Sequence, residues 1–270
     1  MKTRTGVKAT VFLGGGRITS ALIAGLRLAK YDKPIIVHDR HASKMRQLKK
    51  RYDVTVEPNL HQAVRQAGLL ILAVRPDSMS GLLREIGSIH RPLSIVSLAA
   101  GVPISKLRAR LKPPIRWARA MPSPVCRSGH GLTALTFDRA FSPKARREIV
   151  HLFEQVGTVL EIPEDQFDAF TVTYSSSHGY HSLATLAVSA QRLGLNRKTA
   201  LVAAAHALAD GIASWRDGNI PLPRLLHEAS TPGGIAAAVM NAMDSSGYER
   251  IIKQGLRAGI ARARTNAKRA

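Results

Sequence analysis

Gly14 and Gly16 lie between an apolar run and a helical pattern, in the segment VFLGGGRITSALIAGL. At such a junction one glycine permits a tight turn, and the other lets the backbone approach a pyrophosphate closely. The helix behind the loop offers free N–H groups and a favourable dipole to an anion. Thr19 occupies the third position of the G-x-G-x-x-G/A pattern, so the pattern alone is weak. Its place after the first apolar run indicates a phosphate loop for a dinucleotide rather than a plain glycine turn.

The choice of dinucleotide should be set where the second apolar run ends, in IIVHDRHASK. Asp39 could bind the 2′-hydroxyl of the adenosine ribose, as in NAD enzymes. Arg40, with Lys44 nearby, could instead hold a 2′-phosphate through charge-assisted hydrogen bonds. The basic surroundings favour NADPH, and NADH stays open.

A second glycine pair, Gly233 and Gly234, opens a helix in the segment TPGGIAAAVM. Glycine inside a helix costs about 1 kcal/mol relative to alanine, so the pair needs a reason. A helix N-terminus without large side chains gives an anion such as a carboxylate access to several N–H donors. The alternative is that the two glycines permit close helix packing.

The surrounding elements predict an α/β fold. Short buried strands (ATVFLG, PIIVHD, LLILAV and LSIVSLAA) alternate with helical patterns, which is typical of a doubly wound, Rossmann-type parallel sheet. The runs GLTALTF and GTVLEI should add late strands at one edge. After Pro163 the pattern becomes helical, and Asn196 should cap a helix there. We therefore expect a dinucleotide-binding domain over 1–162 and an all-helical domain over 163–270.

Composition limits the function classes. Forty Lys and Arg against 18 Asp and Glu give a net charge of +22, but the basic residues spread over several helical faces. With 5% aromatic residues and no recognisable motif, nucleic-acid binding is not expected. A single cysteine, Cys126, excludes an internal disulfide, and no apolar run approaches the ~18 residues of a membrane span. These features favour a cytoplasmic protein without a metal site.

Several motifs, in order, resemble the pyrroline-5-carboxylate reductase family across nearly the whole chain. The family's GGGNMASALIGGL corresponds to GGGRITSALIAGL here, and its AVKP corresponds to residues 73–76. Its S-x-A-A-G corresponds to residues 97–101, and its R-x-MPN corresponds to residues 119–123. Its SPGGTT corresponds to TPGGIA at 231–236. Such a series is much more specific than any one motif.

The resemblance implies an NAD(P)H-dependent oxidoreductase that reduces the C=N bond of a cyclic imine, pyrroline-5-carboxylate or a close analogue, to proline or its analogue. It also implies a homodimer, with higher homo-oligomers left open, and an active site where the cofactor domain meets helices from two subunits. The cofactor-binding residues are then Gly14, Gly16, Arg17, Ile18, Asp39, Arg40, Ala73, Val74, Arg75, Pro76, Ala99 and Ser123. The substrate-binding residues are Thr231, Gly233, Gly234 and Ile235.

The departures from the family pattern cluster at the site. Ile235 and Ala236 replace the paired threonines, Ser123 replaces an asparagine, and YSSSHGY replaces SGSGPAY at 174–180. Each lost hydrogen bond removes about 0.5–1.5 kcal/mol. We therefore expect a diverged member, with weak activity on the usual substrate or activity on a related imine in a pocket that Ile235 makes more apolar.

Imine reduction needs a proton donor near the substrate nitrogen, and Thr231, Tyr180 and His178 are the candidates. Two other functions are alternatives, and the first of them is disfavoured. A 3-hydroxyacid dehydrogenase would need a catalytic lysine on the long helix, and none occurs between Pro163 and Gln191. A non-catalytic NAD(P)-binding protein would keep the glycine loop and lose the substrate motifs.

Overall fold

The computed structural model describes residues 8–218 and 220–270. These residues form two compact units. Unit 1 comprises the described residues up to Val172 together with Gly259–Ala270, and unit 2 is Thr173–Ala258. The C-terminal residues of the chain therefore belong to the first unit. The domain boundary after residue 162 stays a prediction.

Unit 1 is built on an eight-stranded sheet. The strands are β1 Ala9–Leu13, β2 Ile35–His38, β3 Thr55–Val56, β4 Ala67–Leu72, β5 Leu93–Ser97, β6 Ile115–Pro122, β7 Gly131–Phe137 and β8 Gly157–Glu161. They lie in the order β3-β2-β1-β4-β5-β6-β7-β8, and all neighbours are parallel except β6 and β7. The predicted doubly wound sheet is confirmed, and the two late strands lie at one edge as expected.

Helices cover both faces of this sheet. They are α1 Arg17–Leu28, α2 Ala42–Tyr52, α3 Leu60–Gln66, α4 Pro76–Ile86, α5 Ile104–Arg110, α6 Pro143–Glu154 and α7 Phe167–Thr173. Side chains alternate along each strand, so Val11 and Leu13 join one apolar core while Phe12 joins the other. A sheet buried on both faces explains why its strands read as continuous apolar runs rather than as alternating patterns.

The end of the chain packs on unit 1. A Cβ on Gly101, which has φ +76°, would lie 2.6 Å from the carbonyl oxygen of Ala263. Asn266 donates from Nδ2 to the carbonyl of Ala100 at 3.2 Å, and Ala270 packs against one of the two cores. The glycine of the S-x-A-A-G motif is thus required by a close approach of two backbones.

Unit 2 is entirely helical in its described part. Its helices are α8 Ser177–Arg192, α9 Arg197–Gly218, α10 Leu222–Ala229, α11 Ile235–Ser245 and the first part of α12 Tyr248–Arg269. Asn196 accepts a hydrogen bond from the Thr199 amide at 3.0 Å, which confirms the predicted cap of α9. Nowhere in residues 8–218 and 220–270 is a helix long and apolar enough to cross a membrane.

The interior of unit 2 is very small. Among its described residues only three alanines are buried, Ala187, Ala200 and Ala204. Large apolar side chains stay exposed instead, including Leu193 at 88% and Ile212 at 57%. Exposed large apolar side chains in such number are typical of an interaction surface.

Candidate functional site

The loops that follow β1, β2, β4, β5 and β6 meet at the carboxyl edge of the parallel sheet. The strand order reverses between β1 and β4, which is where doubly wound folds bind their ligands. The structure brings all twelve predicted cofactor residues to this edge: Gly14, Gly16, Arg17, Ile18, Asp39, Arg40, Ala73, Val74, Arg75, Pro76, Ala99 and Ser123. The edge is therefore the candidate dinucleotide site.

The glycine loop lies against the neighbouring strand end. Gly14 has φ +109°, and a Cβ there would be 2.5 Å from the carbonyl oxygen of Ala73. Thr19 donates from Oγ1 to the Gly14 carbonyl at 2.5 Å and is buried. The residue that replaces the third glycine thus fastens the loop to its own helix.

Gly16 begins α1 with an open backbone. It is the N-cap residue, and among the described residues it has no side-chain capping bond and no atom within 4 Å of a Cβ placed on it. The first N–H groups of a helix have no partner within the helix, and no side chain in the described part of the chain caps them here. This bare N-terminus with free space in front fits a pyrophosphate.

Asp39 braces the loop from the end of β2. Its Oδ2 accepts from the Gly15 amide at 2.7 Å, and its Oδ1 accepts from the His41 amide at 2.8 Å. Burial of this carboxyl opposes ionisation, but the hydrogen bonds from Gly15 and His41 and the nearby Lys44 ammonium outweigh it. The pKa of Asp39 consequently lies below its usual value, so the group is ionised at neutral pH.

Two cations flank the loop without a carboxylate partner. Arg17 is the first residue of α1, and Arg40 follows Asp39. Both side chains are exposed, and neither forms an ion pair within the part of the chain that the structure describes. They are available to an anionic ligand.

The remaining predicted cofactor residues follow β4, β5 and β6. Arg75 is the N-cap of α4 in an extended conformation, and Pro76 occupies the first helical turn. Ala99 is buried after β5. Ser123 accepts from the Val125 amide at 3.1 Å, so its hydroxyl caps its own 3₁₀ turn.

The sequence interpretation did not assign the role of Arg119. This guanidinium is 1% exposed, and it donates to Glu164 Oε1 at 2.9 Å and to Asp168 Oδ1 at 2.8 Å. The ring of Phe167 lies 4.2 Å from its Cζ. Glu164 Oε1 also accepts from the Ile104 amide at 3.0 Å. The sequence signal that could have indicated this role is an arginine inside an otherwise buried strand. The role of Arg119 is to join β6 to the start of α7.

Cys126 lies in the core of unit 1 and is not a nucleophile. Burial raises the pKa of its thiol to about 12. At neutral pH the group is a protonated thiol, which is neither a good nucleophile nor a metal ligand. Among the described residues no group of three His, Cys, Asp or Glu could hold a metal ion.

The predicted substrate residues form a turn and an open helix end in unit 2. The Gly234 amide donates to the Thr231 carbonyl at 2.9 Å across Pro232 and Gly233, and Gly233 has φ +76°. This is a type II turn, whose third residue favours glycine. No atom of the described chain lies within 4 Å of a Cβ on Gly233, so the turn rather than packing within this chain explains it.

Gly234 is the N-cap of α11 and makes no side-chain capping bond. The first helical residue, Ile235, is 87% exposed. The N–H groups of this first turn are therefore open to an anion, beside an apolar side chain.

The predicted proton donors occupy two separate elements. His178 and Tyr180 lie in the first turn of α8, and Tyr180 is 71% exposed. Thr231 precedes α11, and its exposed hydroxyl is 3.5 Å from the Glu228 carbonyl. Tyr180 and Thr231 thus carry solvent-accessible hydroxyl groups.

Comparison with known proteins matches both parts of the chain. A family model described as "NADP oxidoreductase coenzyme F420-dependent" matches residues 10–101, and one described as "Pyrroline-5-carboxylate reductase dimerisation" matches residues 164–266. The chain is 28% identical to a pyrroline-5-carboxylate reductase from Synechocystis over 262 residues, which cover 95% of this chain and 97% of that protein.

Two solved structures share the fold. The pyrroline-5-carboxylate reductase of Coxiella burnetii aligns with a TM-score of 0.85 at 22% identity, over 97% of this chain and 99% of that one. The pyrroline carboxylate reductase of Plasmodium falciparum, solved with NADP bound, aligns with a TM-score of 0.84 at 18% identity. The alignment covers 97% of this chain and 100% of that one.

Proposed function

This chain belongs to the pyrroline-5-carboxylate reductase family, and we propose that it uses NAD(P)H to reduce the C=N bond of a cyclic imine that carries a carboxylate. The preferred imine is pyrroline-5-carboxylate, whose reduction gives proline. The relatives that match nearly the whole chain carry that name.

The open glycine loop at the switch point of the sheet carries this proposal. Gly14 fits closely against Ala73, whereas Gly16 leaves free space before the bare N-terminus of α1. A pyrophosphate site needs one glycine that permits a tight turn and another that leaves the backbone unobstructed, and Gly14 and Gly16 meet these two requirements. When bound, the nicotinamide supplies the hydride.

The residues of unit 2 have two tasks in this proposal, to hold the substrate carboxylate and to keep the imine nitrogen protonated. The free amides at the start of α11 suit the carboxylate, because they combine N–H donors with the positive end of the helix dipole. The accessible hydroxyls of Thr231 and Tyr180 and the imidazole of His178 are the proposed proton donors. The hydride adds to the imine carbon, the proton adds to nitrogen, and the C=N bond becomes a C–N bond.

Assembly into a homodimer through unit 2 is part of the proposal. The three alanines that are buried among the described residues of unit 2 cannot stabilise a unit of this size. Its exposed apolar side chains offer the missing core. The match to a dimerisation family over 164–266 supports the same conclusion. The cytoplasm is the proposed location, on the basis of the single, buried cysteine.

The test is NADPH and NADH oxidation, followed at the nicotinamide absorbance, with pyrroline-5-carboxylate and a panel of other cyclic imines. Turnover that depends on a carboxylated imine is the expected result. A protein that binds the nucleotide but oxidises it with no imine would contradict the proposal. That outcome would identify a nucleotide-binding protein that has kept the fold and lost the chemistry.

A further inference from the structure

A cavity of about 610 Å³ opens on unit 1 at the edge of the sheet opposite to the glycine loop. Its lining comes from α3, from the end of α4 and from the loop that leads into β5. Because β4 begins directly after α3, and β4 and β5 are parallel, this is the edge at which the strands start. The volume lies in the range of cavities that hold small organic molecules.

The floor of this cavity is apolar. Val64 and Ile86 belong to one of the two cores of unit 1, and Ile89 packs against the same core. An apolar floor gains free energy by covering the carbon framework of a ligand, which a simple inorganic ion does not have. The floor therefore favours an organic ligand.

The rim of the cavity is cationic. Four side chains that carry or can accept a positive charge line it, His61, Arg65, His90 and Arg91. Within the described chain no Asp or Glu lines the cavity, and none of these four forms an ion pair. The charge of the rim therefore favours an anion.

Arg91 is held in place by the end of α3. Its Nη2 donates to the carbonyl oxygens of Val64 at 2.8 Å and of Ala67 at 2.7 Å, so the guanidinium is fixed before a ligand arrives. A side chain that is already ordered loses little conformational entropy on binding. Arg65 is exposed and supplies the second guanidinium.

The helix ends beside the cavity do not cancel this charge. The carboxyl ends of α3 and α4 lie at the lining, and each contributes about half a negative charge. The guanidinium groups of Arg65 and Arg91 carry two full positive charges. A net positive charge remains even with both imidazoles neutral.

We propose that this cavity binds an aromatic phosphate monoester, at a site separate from the dinucleotide edge. A phosphate monoester carries between one and two negative charges at neutral pH, and guanidinium groups form charge-assisted hydrogen bonds with it. An aromatic body suits the apolar floor, and a guanidinium also stacks favourably on an aromatic face. The inference goes beyond the proposed function, which assigns no ligand to this edge of the sheet.

Isothermal titration calorimetry with phenyl phosphate tests the proposal, with inorganic phosphate and benzoate as comparison ligands. We expect one phenyl phosphate per chain, bound at least about tenfold more tightly than inorganic phosphate, which lacks the apolar body. Benzoate has the ring but a single charge, and it should bind several-fold more weakly than phenyl phosphate. Saturating NADP⁺ should leave the affinity for phenyl phosphate unchanged, because the two sites lie at opposite edges.

Three variants locate the site. Arg65→Ala and His90→Ala should each weaken phenyl phosphate binding about fivefold or more. Both side chains are exposed and have no hydrogen-bond partner among the described residues, so the unfolding temperature should not change. Arg84→Ala is the matched control, since it removes an exposed cation of α4 that does not line the cavity, and it should retain the wild-type affinity.

Four results would overturn the inference. They are no saturable binding of phenyl phosphate, equal affinity for inorganic phosphate, displacement of phenyl phosphate by NADP⁺, and equal weakening in Arg84→Ala and Arg65→Ala. None of these measurements involves an imine. A protein that reduces the imine but binds no phenyl phosphate would contradict this inference alone.

Discussion

Gly14 and Ala73 lie in backbone contact where two neighbouring strands end. A Cβ on Gly14 would be 2.5 Å from the Ala73 carbonyl oxygen, and the Ala73 amide donates to the Leu13 carbonyl at 2.8 Å. The loops after β1 and β4 therefore form one continuous surface at the switch point of the sheet. The proposed nucleotide site depends on this contact.

Replacement of Gly14 by alanine should destabilise the fold and abolish nucleotide binding. The positive φ and the contact with Ala73 both oppose a Cβ, and together they should lower the free energy of unfolding by about 3 kcal/mol. Chemical denaturation followed by circular dichroism measures the change, and NADPH titration measures the binding.

Gly16→Ala is the matched variant. Gly16 has an ordinary extended conformation and free space around a Cβ, so the free energy of unfolding should change by less than about 0.5 kcal/mol. NADPH affinity should nevertheless fall about tenfold or more, because the methyl group enters the space assigned to the pyrophosphate. Undiminished affinity in Gly16→Ala would show that no phosphate lies there.

Arg119→Met should be strongly destabilising. It leaves Glu164 and Asp168 without their shared, buried guanidinium, and the loss of the charge-assisted hydrogen bonds to these partly exposed carboxylates should cost about 2 kcal/mol. Arg146→Met is the control, since the Arg146–Glu161 pair is exposed and should contribute at most about 1 kcal/mol. Urea denaturation of both variants gives the comparison. Equal losses in the free energy of unfolding for the two variants would mean that the ion pairs of Arg119 with Glu164 and Asp168 do not hold β6 to α7.

Cys126 should resist thiol reagents in the native protein. With a pKa of about 12, only about one thiol in ten thousand is ionised at pH 8, and the side chain is buried as well. Because the pKa is raised, reactivity should increase only as the pH approaches 12. Dithionitrobenzoate should report no thiol in the native protein and one after denaturation in guanidinium chloride. Rapid labelling of native protein at pH 8 would contradict the buried position.

The sequence alone predicts most strands of the sheet well, but it predicts poorly the side-chain contacts between distant parts of the chain. Apolar runs mark β1, β2, β4 and β5 because both faces of the sheet are covered. The strand β6 is less evident, since Arg116 and Arg119 interrupt its apolar pattern. Only the three-dimensional structure reveals that Glu164 and Asp168, more than 40 residues away, accept from Arg119.

The candidate site shows the same division. The G-x-G spacing predicts the phosphate loop because it reflects a local backbone requirement. The pattern also assigns Asp39 to the ribose. It does not predict the hydrogen bond from the Gly15 amide, 24 residues away, to Asp39 Oδ2, whereas the hydrogen bond from the His41 amide to Oδ1 is local. In unit 2 the motif predicts an open helix start, but it places Gly233 and Gly234 inside the first helical turn. That position is wrong, because α11 begins at Ile235, Gly234 is its N-cap and Gly233 lies in the preceding turn. The surroundings of Tyr180 and Ile235 depend on the second subunit of the proposed homodimer, so the sequence of one chain does not predict them.

Ile235→Thr should improve catalysis on pyrroline-5-carboxylate. The substitution returns a hydroxyl to the open end of α11, where a hydrogen bond to the substrate carboxylate is worth about 0.5–1.5 kcal/mol, or a two- to tenfold rise in kcat/KM. Val239→Thr, an exposed β-branched residue on the same helix, is the control and should leave kcat/KM unchanged. If Ile235→Thr does not raise kcat/KM, the substrate carboxylate does not bind at the N-terminus of α11.

The most direct measurement follows the hydride itself. The protein is incubated with pyrroline-5-carboxylate and NADPH that carries deuterium at both C4 positions of the nicotinamide, and the products are analysed by mass spectrometry. The account predicts proline that contains one deuterium, in an amount equal to the NADPH oxidised. NADPH that binds to the protein while no deuterated proline forms would contradict the central claim.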